Sequence, residues 1–160
     1  GMVNTTSPPS LSPVEIQECF NEAASSPRRR HAKILHEEGA AFNRAFNFMM
    51  DDTYMRPHRH PSPEKIEEMY IVDGAFGLLL FDDFGEIEKA ITIRNGGEEY
   101  VKVPAFAWHT YVVLSNKTIV YETMEGRYEP DTWKELADWA PAEGSVEASP
   151  YLQSLKSRFS

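Results

Sequence analysis

The sequence predicts an all-β protein, an antiparallel barrel or sandwich of short strands with one short helix near each end. Segments rich in β-branched and aromatic residues recur at a regular pitch between residues 31 and 124. Turn-forming pairs such as Asp73-Gly74 and Asn95-Gly96 separate these segments, and no helical pattern intervenes. Nine strands are predicted, at residues 31–37, 42–50, 54–60, 67–72, 75–81, 87–93, 98–103, 109–114 and 119–124.

A capping signal predicts the first helix. Ser12 can cap the helix, Pro13 suits its first turn, and Glu15 completes a capping box. Ile16 and Phe20 then recur at helical spacing, which gives the helix one apolar face. We expect this face to pack on the β-rich part of the chain.

The chain is predicted to form a single domain, because 160 residues are enough for one proper core. Residues 1–11 are rich in Ser, Thr and Pro, so we expect them to be flexible. Residues 12–144 are expected to form the domain, with the second helix at about residues 132–139. Residues 145–160 are expected to be a C-terminal tail.

The composition argues against several classes of partner. The net charge of −9 repels phosphate groups, so we expect no nucleic-acid partner. No apolar run approaches the roughly 20 residues that span a bilayer, and no secretion signal is recognisable, so we expect no membrane association. Cys19 is the single cysteine, which predicts no internal disulfide and a cytoplasmic location. The basic run at residues 28–30 is interpreted as a solvated loop, with an anion or subunit contact as the alternative.

The histidines carry the strongest chemical signal. His58 and His60 share one face of a predicted strand, with Cα atoms roughly 7 Å apart, so both imidazoles can reach one metal ion. Glu67 on the next strand can add a carboxylate, and His109 begins a later strand. Three imidazoles and one carboxylate suit one divalent transition metal ion, which is Fe, Mn, Ni, Co or Zn.

Two stretches resemble the motifs of the cupin superfamily. His58 and His60, followed by Glu67 and Gly74, resemble the first motif, HxH…E…G. The stretch at residues 97–109, which ends at the third histidine, resembles the second motif, G…PxG…H. The resemblance implies a cupin double-stranded β-helix, a jelly-roll barrel with the metal inside.

A closer resemblance is to the WbuC-type cupin metalloproteins. It is carried by the sequence ArgProHisArgHis at residues 56–60 and by segments 122–130 and 139–144. This resemblance implies an association with bacterial surface-polysaccharide gene clusters, and it implies no particular reaction.

The chain departs from the cupin motifs at three places, one of which is Val113 in the place of the asparagine that often closes the second motif. Six residues separate His60 from Glu67, so Glu64 and Glu68 are alternative carboxylate ligands. Phe106 stands where the second motif has glycine, so we expect either a different backbone geometry there or a phenyl ring at the pocket mouth.

Strand parity predicts which other side chains face the metal. Tyr54 and Arg56 share a face with the first two histidines, and Tyr111 shares one with the third. Arg56 is interpreted either as a bidentate contact for a ligand carboxylate or phosphate, or as an ion-pair partner of Glu122. The expected substrate-binding residues are Arg56, Met69, Phe106, Trp108 and Tyr111. The candidates for proton transfer are Tyr54, Tyr111 and Glu122.

The sequence favours a metal-binding cupin, interpreted as a metalloenzyme that acts on a small polar molecule. The molecule is expected to be a sugar derivative or a hydroxy or keto acid, anionic or sugar-like, and the reaction an isomerisation, an epimerisation or a dioxygenation. The alternatives are a metal-dependent binding or sensing module without turnover and a metal-free, sugar epimerase-like cupin. A homodimer is expected, because the strands at residues 31–50 would otherwise leave a sheet edge open.

Overall fold

The computed structural model describes residues 7–160, which form two facing antiparallel sheets with a helix at each end of the chain. The predicted flexible N-terminus at residues 1–11 therefore lies largely outside the described residues. The elements are α1 Pro13–Ser25, β1 Arg30–Ile34, β2 Phe42–Met50, β3 His58–Arg59, β4 Glu67–Asp73, β5 Ala75–Phe81, β6 Ile87–Arg94, β7 Tyr100–Val103, β8 Trp108–Val113, β9 Lys117–Glu125, β10 Glu135–Leu136 and α2 Ala148–Lys156, followed by a short 3-10 turn, Ser157–Phe159.

Each sheet has five strands, in the orders β1-β2-β9-β4-β7 and β10-β3-β8-β5-β6. From β2 to β5, and again from β7 to β10, successive strands alternate between the two sheets, which is the winding of a jelly roll. The apolar core lies between the sheets and includes Met69, Phe76, Leu78 and Tyr111. The inner face of β4 is buried along its length, and this face also carries Glu67.

The first helix begins as the capping signal predicts. The Glu15 amide donates to Ser12 Oγ, and the Ser12 amide donates to Glu15 Oε1, both at 3.1 Å. Phe20 and Ala23 are buried on the helix face that meets the outer side of β2. The Phe20 ring packs edge-on against Phe48, with 5.2 Å between ring centroids.

The helix predicted at residues 132–139 does not form. The segment forms two turns with the short strand β10 between them, and β10 pairs with β3 through Leu136 opposite His58. The Ala137 amide also donates to the Pro57 carbonyl at 2.9 Å, so tertiary hydrogen bonds override the local helical pattern. The second helix is α2, inside the stretch expected as a tail, and it buries Leu152 and Leu155 in the core.

The strand predicted at residues 54–60 is much shorter in the structure, where only His58–Arg59 pair as β3. Pro57 lacks an amide hydrogen for the ladder, which favours the end of a strand there. Tyr54 turns away and packs edge-on against Tyr151 of α2, with 5.8 Å between ring centroids. The regular alternation expected before the first histidine is therefore absent.

The first sheet has β1 as one of its edge strands. Dimerisation through this edge stays a prediction. Within residues 7–160, no helix reaches the length and apolar character that a membrane crossing requires.

Candidate metal centre

Three imidazoles meet inside the jelly roll. His58 on β3 lies directly opposite His109 on β8, and His60 follows just beyond the end of β3. All three side chains are buried. One ring nitrogen from each imidazole lies within 4.8 Å of the corresponding nitrogens of the other two, a spacing that allows all three to hold one metal ion.

Hydrogen bonds to backbone carbonyls orient each ring. His58 Nδ1 lies 3.0 Å from the Arg56 oxygen, and His109 Nδ1 lies 2.9 Å from the Ala107 oxygen. His60 Nδ1 lies 2.9 Å from the oxygen of Trp133. Because a carbonyl oxygen only accepts hydrogen bonds, each Nδ1 carries the proton, and in a neutral ring Nε2 is left with a free lone pair. Metal-binding histidines are commonly oriented in this way.

Glu67 adds a carboxylate to the three imidazoles. Its Oε1 lies 3.0 Å from His109 Nε2 and 3.9 Å from His60 Nε2. Since Nδ1 of His109 already carries a proton, the Nε2 of a neutral ring would direct a lone pair at a carboxylate oxygen. A positive charge must lie between the two atoms to make this contact favourable, and either a second ring proton or a metal ion supplies it.

The two alternative carboxylates point elsewhere. Glu64 is exposed and accepts a hydrogen bond from the hydroxyl of Ser62. Glu68 faces the opposite side of β4 from Glu67 and accepts from the Tyr100 hydroxyl at 2.6 Å. Of the three carboxylates that the sequence left open, Glu67 lies against the imidazoles.

Burial and neighbouring charges set the protonation of these groups. Burial lowers the pKa of His58 well below its ordinary value, and burial also lowers the pKa of His60. Burial alone would raise the pKa of Glu67, but the hydrogen bond and charge of His109 outweigh it, and the pKa is lowered. Two neutral imidazoles and an ionised carboxylate are the protonation states that metal coordination requires.

A cavity of about 770 Å³ opens from the imidazoles. Its walls carry polar and charged side chains from both ends of the chain. The polar and charged residues of the lining include Arg28, Arg30, Asn47, His58, His60, Glu67, Tyr111, Glu122 and Lys134.

A hydrogen-bonded group of Glu122, Tyr111 and Asn47 lines this cavity. The Tyr111 hydroxyl donates to Glu122 Oε1, and Asn47 Nδ2 donates to Glu122 Oε2 at 2.7 Å and to the Tyr111 oxygen at 3.1 Å. Burial raises the pKa of Glu122 well above its ordinary range, and the negative charge of Glu67 raises it further. Glu122 therefore keeps its proton at a pH where an exposed carboxyl has lost it.

Sequence reasoning missed Asn47, although β2 carries a signal for it. Phe46 and Phe48 point outward to α1, so strand alternation turns Asn47 to the opposite, inner face. On this inner face Asn47 lies between Ala45 and Met49, and a polar residue between two apolar ones indicates a site. Lys134 was missed as well, because it lies in a segment without regular strand alternation.

Two side chains that parity placed beside the histidines bond elsewhere. Arg56 donates from Nε and NH2 to the Ala137 carbonyl, at 3.0 and 2.8 Å. Its predicted ion-pair partner, Glu122, accepts hydrogen bonds from Tyr111 and Asn47 instead. The Tyr54 hydroxyl donates to the Pro141 carbonyl at 2.7 Å. Both side chains hold the segment after β9, which corrects their predicted place. The reason is that the chain before His58 is not a regular strand.

The remaining predicted substrate contacts differ in their positions. Met69 is fully buried in the core between the sheets. Trp108 donates from Nε1 to Asp83 at 3.1 Å, and the guanidinium of Arg59 lies 4.3 Å from the centre of its ring. Phe106 is half exposed and adopts a left-handed backbone with φ +67°. Glycine adopts this conformation most readily, so the turn keeps a glycine-type geometry instead of the different one that the sequence offered as one alternative.

Several solved structures share the fold of this chain. An oxalate oxidase in complex with glycolate covers 86% of this chain and 75% of its own, with 13% identity and a TM-score of 0.56. A protein from Shewanella oneidensis covers 81% of this chain and 85% of its own, with 11% identity and a TM-score of 0.56. The Cnp3 cupin domain of Schizosaccharomyces pombe has 15% identity and a TM-score of 0.48, and the match covers 61% of this chain and 61% of that domain. The predicted all-β cupin jelly-roll fold is confirmed, whereas the second helix is α2 and not the one predicted at residues 132–139.

The family follows from the sequence itself. Residues 11–93, just over half of the chain, match a family model described as a domain of unknown function, DUF6016. The chain belongs to this family. Among curated proteins none matches the sequence. Membership of the WbuC-type group stays a prediction.

Proposed function

We propose that this protein is a cupin metalloprotein that holds one divalent transition metal ion and binds a small polar molecule beside it. The proposed ligands are His58, His60, Glu67 and His109. The observation that supports this proposal is a set of three imidazole rings that donate hydrogen bonds from Nδ1 to backbone carbonyls and lie next to a buried carboxylate. Three imidazoles and a carboxylate fit Fe, Mn, Co, Ni or Zn, with no preference for one of them.

The cavity supports turnover more than passive binding. A bound metal of this kind would act as a Lewis acid on a carbonyl or hydroxyl oxygen of the substrate. Glu122 would act as the proton donor, because it lines the same cavity and burial raises its pKa well above the ordinary range. Asn47 would orient the carboxyl, and Tyr111 would share its proton. These roles suit a proton transfer such as an isomerisation or epimerisation of a hydroxy or keto acid or a sugar derivative.

The same geometry argues against a metal-free epimerase. A histidine that works as a free base needs an accessible ring nitrogen, and it needs no second imidazole beside it. Here the rings of His58 and His109 lie 4.5 Å apart between centroids, and both are buried. Burial of two rings in contact fits a shared ion better than a single base.

Two finer parts of the proposal rest on the sequence. The resemblance to WbuC-type cupins supports a substrate from surface-polysaccharide metabolism. The β1 edge supports a homodimer, which light scattering would test directly by giving a dimer mass at working concentration.

The metal site is tested by elemental analysis of protein purified without a nickel column. We expect close to one transition metal ion per chain in the wild type and almost none in His58→Ala. His31→Ala is the matched control, since His31 lies on β1 outside the cavity. Circular dichroism on each variant checks that it is folded. A wild type without stoichiometric metal, or a folded His58→Ala protein with unchanged metal, would overturn the proposal.

A further inference from the structure

Two arginines near the metal centre share a single carboxylate. Arg28 donates from Nε and NH2 to the two oxygens of Glu143, each at 3.1 Å. The NH2 group of Arg30 lies 3.0 and 3.1 Å from the same two oxygens. One negative charge therefore serves two guanidinium groups, both of which line the cavity.

Lys134 adds a third positive charge to this wall. It follows Trp133, whose carbonyl oxygen accepts from His60, and it lines the cavity together with the imidazoles. Among the hydrogen bonds and ion pairs formed within residues 7–160, none involves the ammonium group of Lys134. Lys134 is an exposed residue. Desolvation, and then the charges of Arg28 and Arg30, lower its pKa, while the charges of Glu143 and Glu67 act in the opposite direction.

These charges are not balanced inside the cavity. Glu143 offsets one of the three cations, and the two further charged side chains of the lining, Arg44 and Glu38, cancel in number. Burial raises the pKa of Glu122 well above its ordinary range, which favours its neutral form. Glu67 faces the imidazoles, where a metal ion would more than offset it. The chain as a whole carries a net charge of −9, so a concentration of positive charge in this cavity is a local feature rather than a consequence of composition.

We propose that Lys134, supported by Arg30 and Arg28, binds an anionic group at one end of the substrate, while the other end lies at the metal centre. The substrate class is then a small hydroxy or keto acid with a second anionic group, either a carboxylate or a phosphate. This inference rests on the proposed metal site. It differs from the sequence expectation in its residues, because the sequence offered Arg56 for the anion contact, with an ion pair to Glu122 as the alternative, and Arg56 donates to the Ala137 carbonyl.

The test compares pairs of probes that share one end. Malate and lactate share an α-hydroxy acid, and malate adds a carboxylate; 3-phosphoglycerate and glycerate share the same end, and the former adds a phosphate. Titration calorimetry on metal-loaded wild-type protein should give at least about tenfold tighter binding for the member of one pair that carries the second anionic group. The pair that shows the preference identifies the second group as carboxylate or phosphate.

Variants of Lys134 complete the test. Lys134→Met should remove the preference for the probe with the second anionic group, and Lys134→Arg should retain most of it. Lys89→Met is the matched control, because Lys89 is exposed on β6 outside the cavity, and it should bind both probes as the wild type does.

The metal content of every variant separates this inference from the proposed function. A wild type without metal overturns the metal site itself. Full metal with equal binding of both members of each pair overturns the anion contact and leaves the metal site standing. Loss of metal in Lys134→Met also overturns the anion contact, since the lysine would then support the metal centre instead of a separate group.

Discussion

His60 Nδ1 lies 2.9 Å from the carbonyl oxygen of Trp133, which comes 73 residues later in the chain. The Trp133 ring also lies 5.8 Å from the His60 ring, and Lys65 places its ammonium 4.8 Å from the centre of the indole. Lys65 in turn donates to the Thr132 carbonyl at 3.2 Å. The segment after β9 therefore holds one imidazole in its orientation, although it contributes no proposed ligand.

Truncation of Trp133 is predicted to weaken metal binding without removing a ligand. In Trp133→Ala the carbonyl loses the ring that fixes its position, so His60 loses its orienting contact. Loss of such a contact typically lowers metal affinity about 10- to 100-fold. Competition against a chromophoric chelator measures the affinity. Leu136→Ala is the control, because Leu136 is an exposed residue of the same segment, and equal affinities for the two variants would contradict the prediction.

Glu67→Gln is predicted to lower metal affinity by at least about tenfold, because the amide keeps the shape of the side chain but removes the negative charge. Glu68→Gln is the matched control, since Glu68 faces the other side of β4 and bonds to Tyr100. The same chelator competition measures both variants. If Glu68→Gln loses as much affinity as Glu67→Gln, the carboxylate ligand is assigned to the wrong residue.

The parts of the site that depend on short-range geometry could be predicted from the sequence. His58 and His60 are two residues apart in an extended stretch, and that spacing alone puts the rings together. Glu67 was left beside two alternatives, because the loop before β4 obscures the register. The pairing of β4 with β9, with Glu67 opposite Met124, turns this side chain inward.

The parts that depend on distant segments could not be predicted. Arg56 and Tyr54 take hydrogen-bond acceptors 81 and 87 residues away, Ala137 and Pro141. No local pattern at residues 54–60 predicts those partners. The helix expected at residues 132–139 failed for the same reason, since Leu136 pairs with His58 across the fold.

At position 106, replacement by glycine is predicted to give a more stable protein than replacement by alanine. The φ of Phe106, +67°, lies in the left-handed region, where a side chain costs about 1–2 kcal/mol and glycine costs nothing comparable. Phe106→Gly should therefore be about 1 kcal/mol more stable than Phe106→Ala, both having lost the same half-exposed ring. Urea unfolding of the two metal-free variants measures the difference. An alanine variant as stable as the glycine variant would show that this backbone carries no strain.

Glu122→Gln is predicted to stabilise the metal-free protein at neutral pH. Burial holds the pKa of Glu122 well above its ordinary value of 4.5, so the folded state binds more protons than the unfolded state above that pH. Its contribution to stability is fully present below pH 4.5 and is lost as the pH rises toward the folded pKa. Glutamine stays neutral throughout and keeps an oxygen for Asn47.

At pH 7–8, Glu122→Gln should therefore unfold at a higher temperature than the wild type, by about 2–4 °C for each kcal/mol of penalty that it removes. The gap should close as the pH falls toward 4.5. Thermal unfolding across this range after chelation measures it, with Glu88→Gln on the exposed face of β6 as the control. A difference in unfolding temperature that is constant with pH would mean that Glu122 is ionised in the folded protein, which would contradict its proposed role as a proton donor.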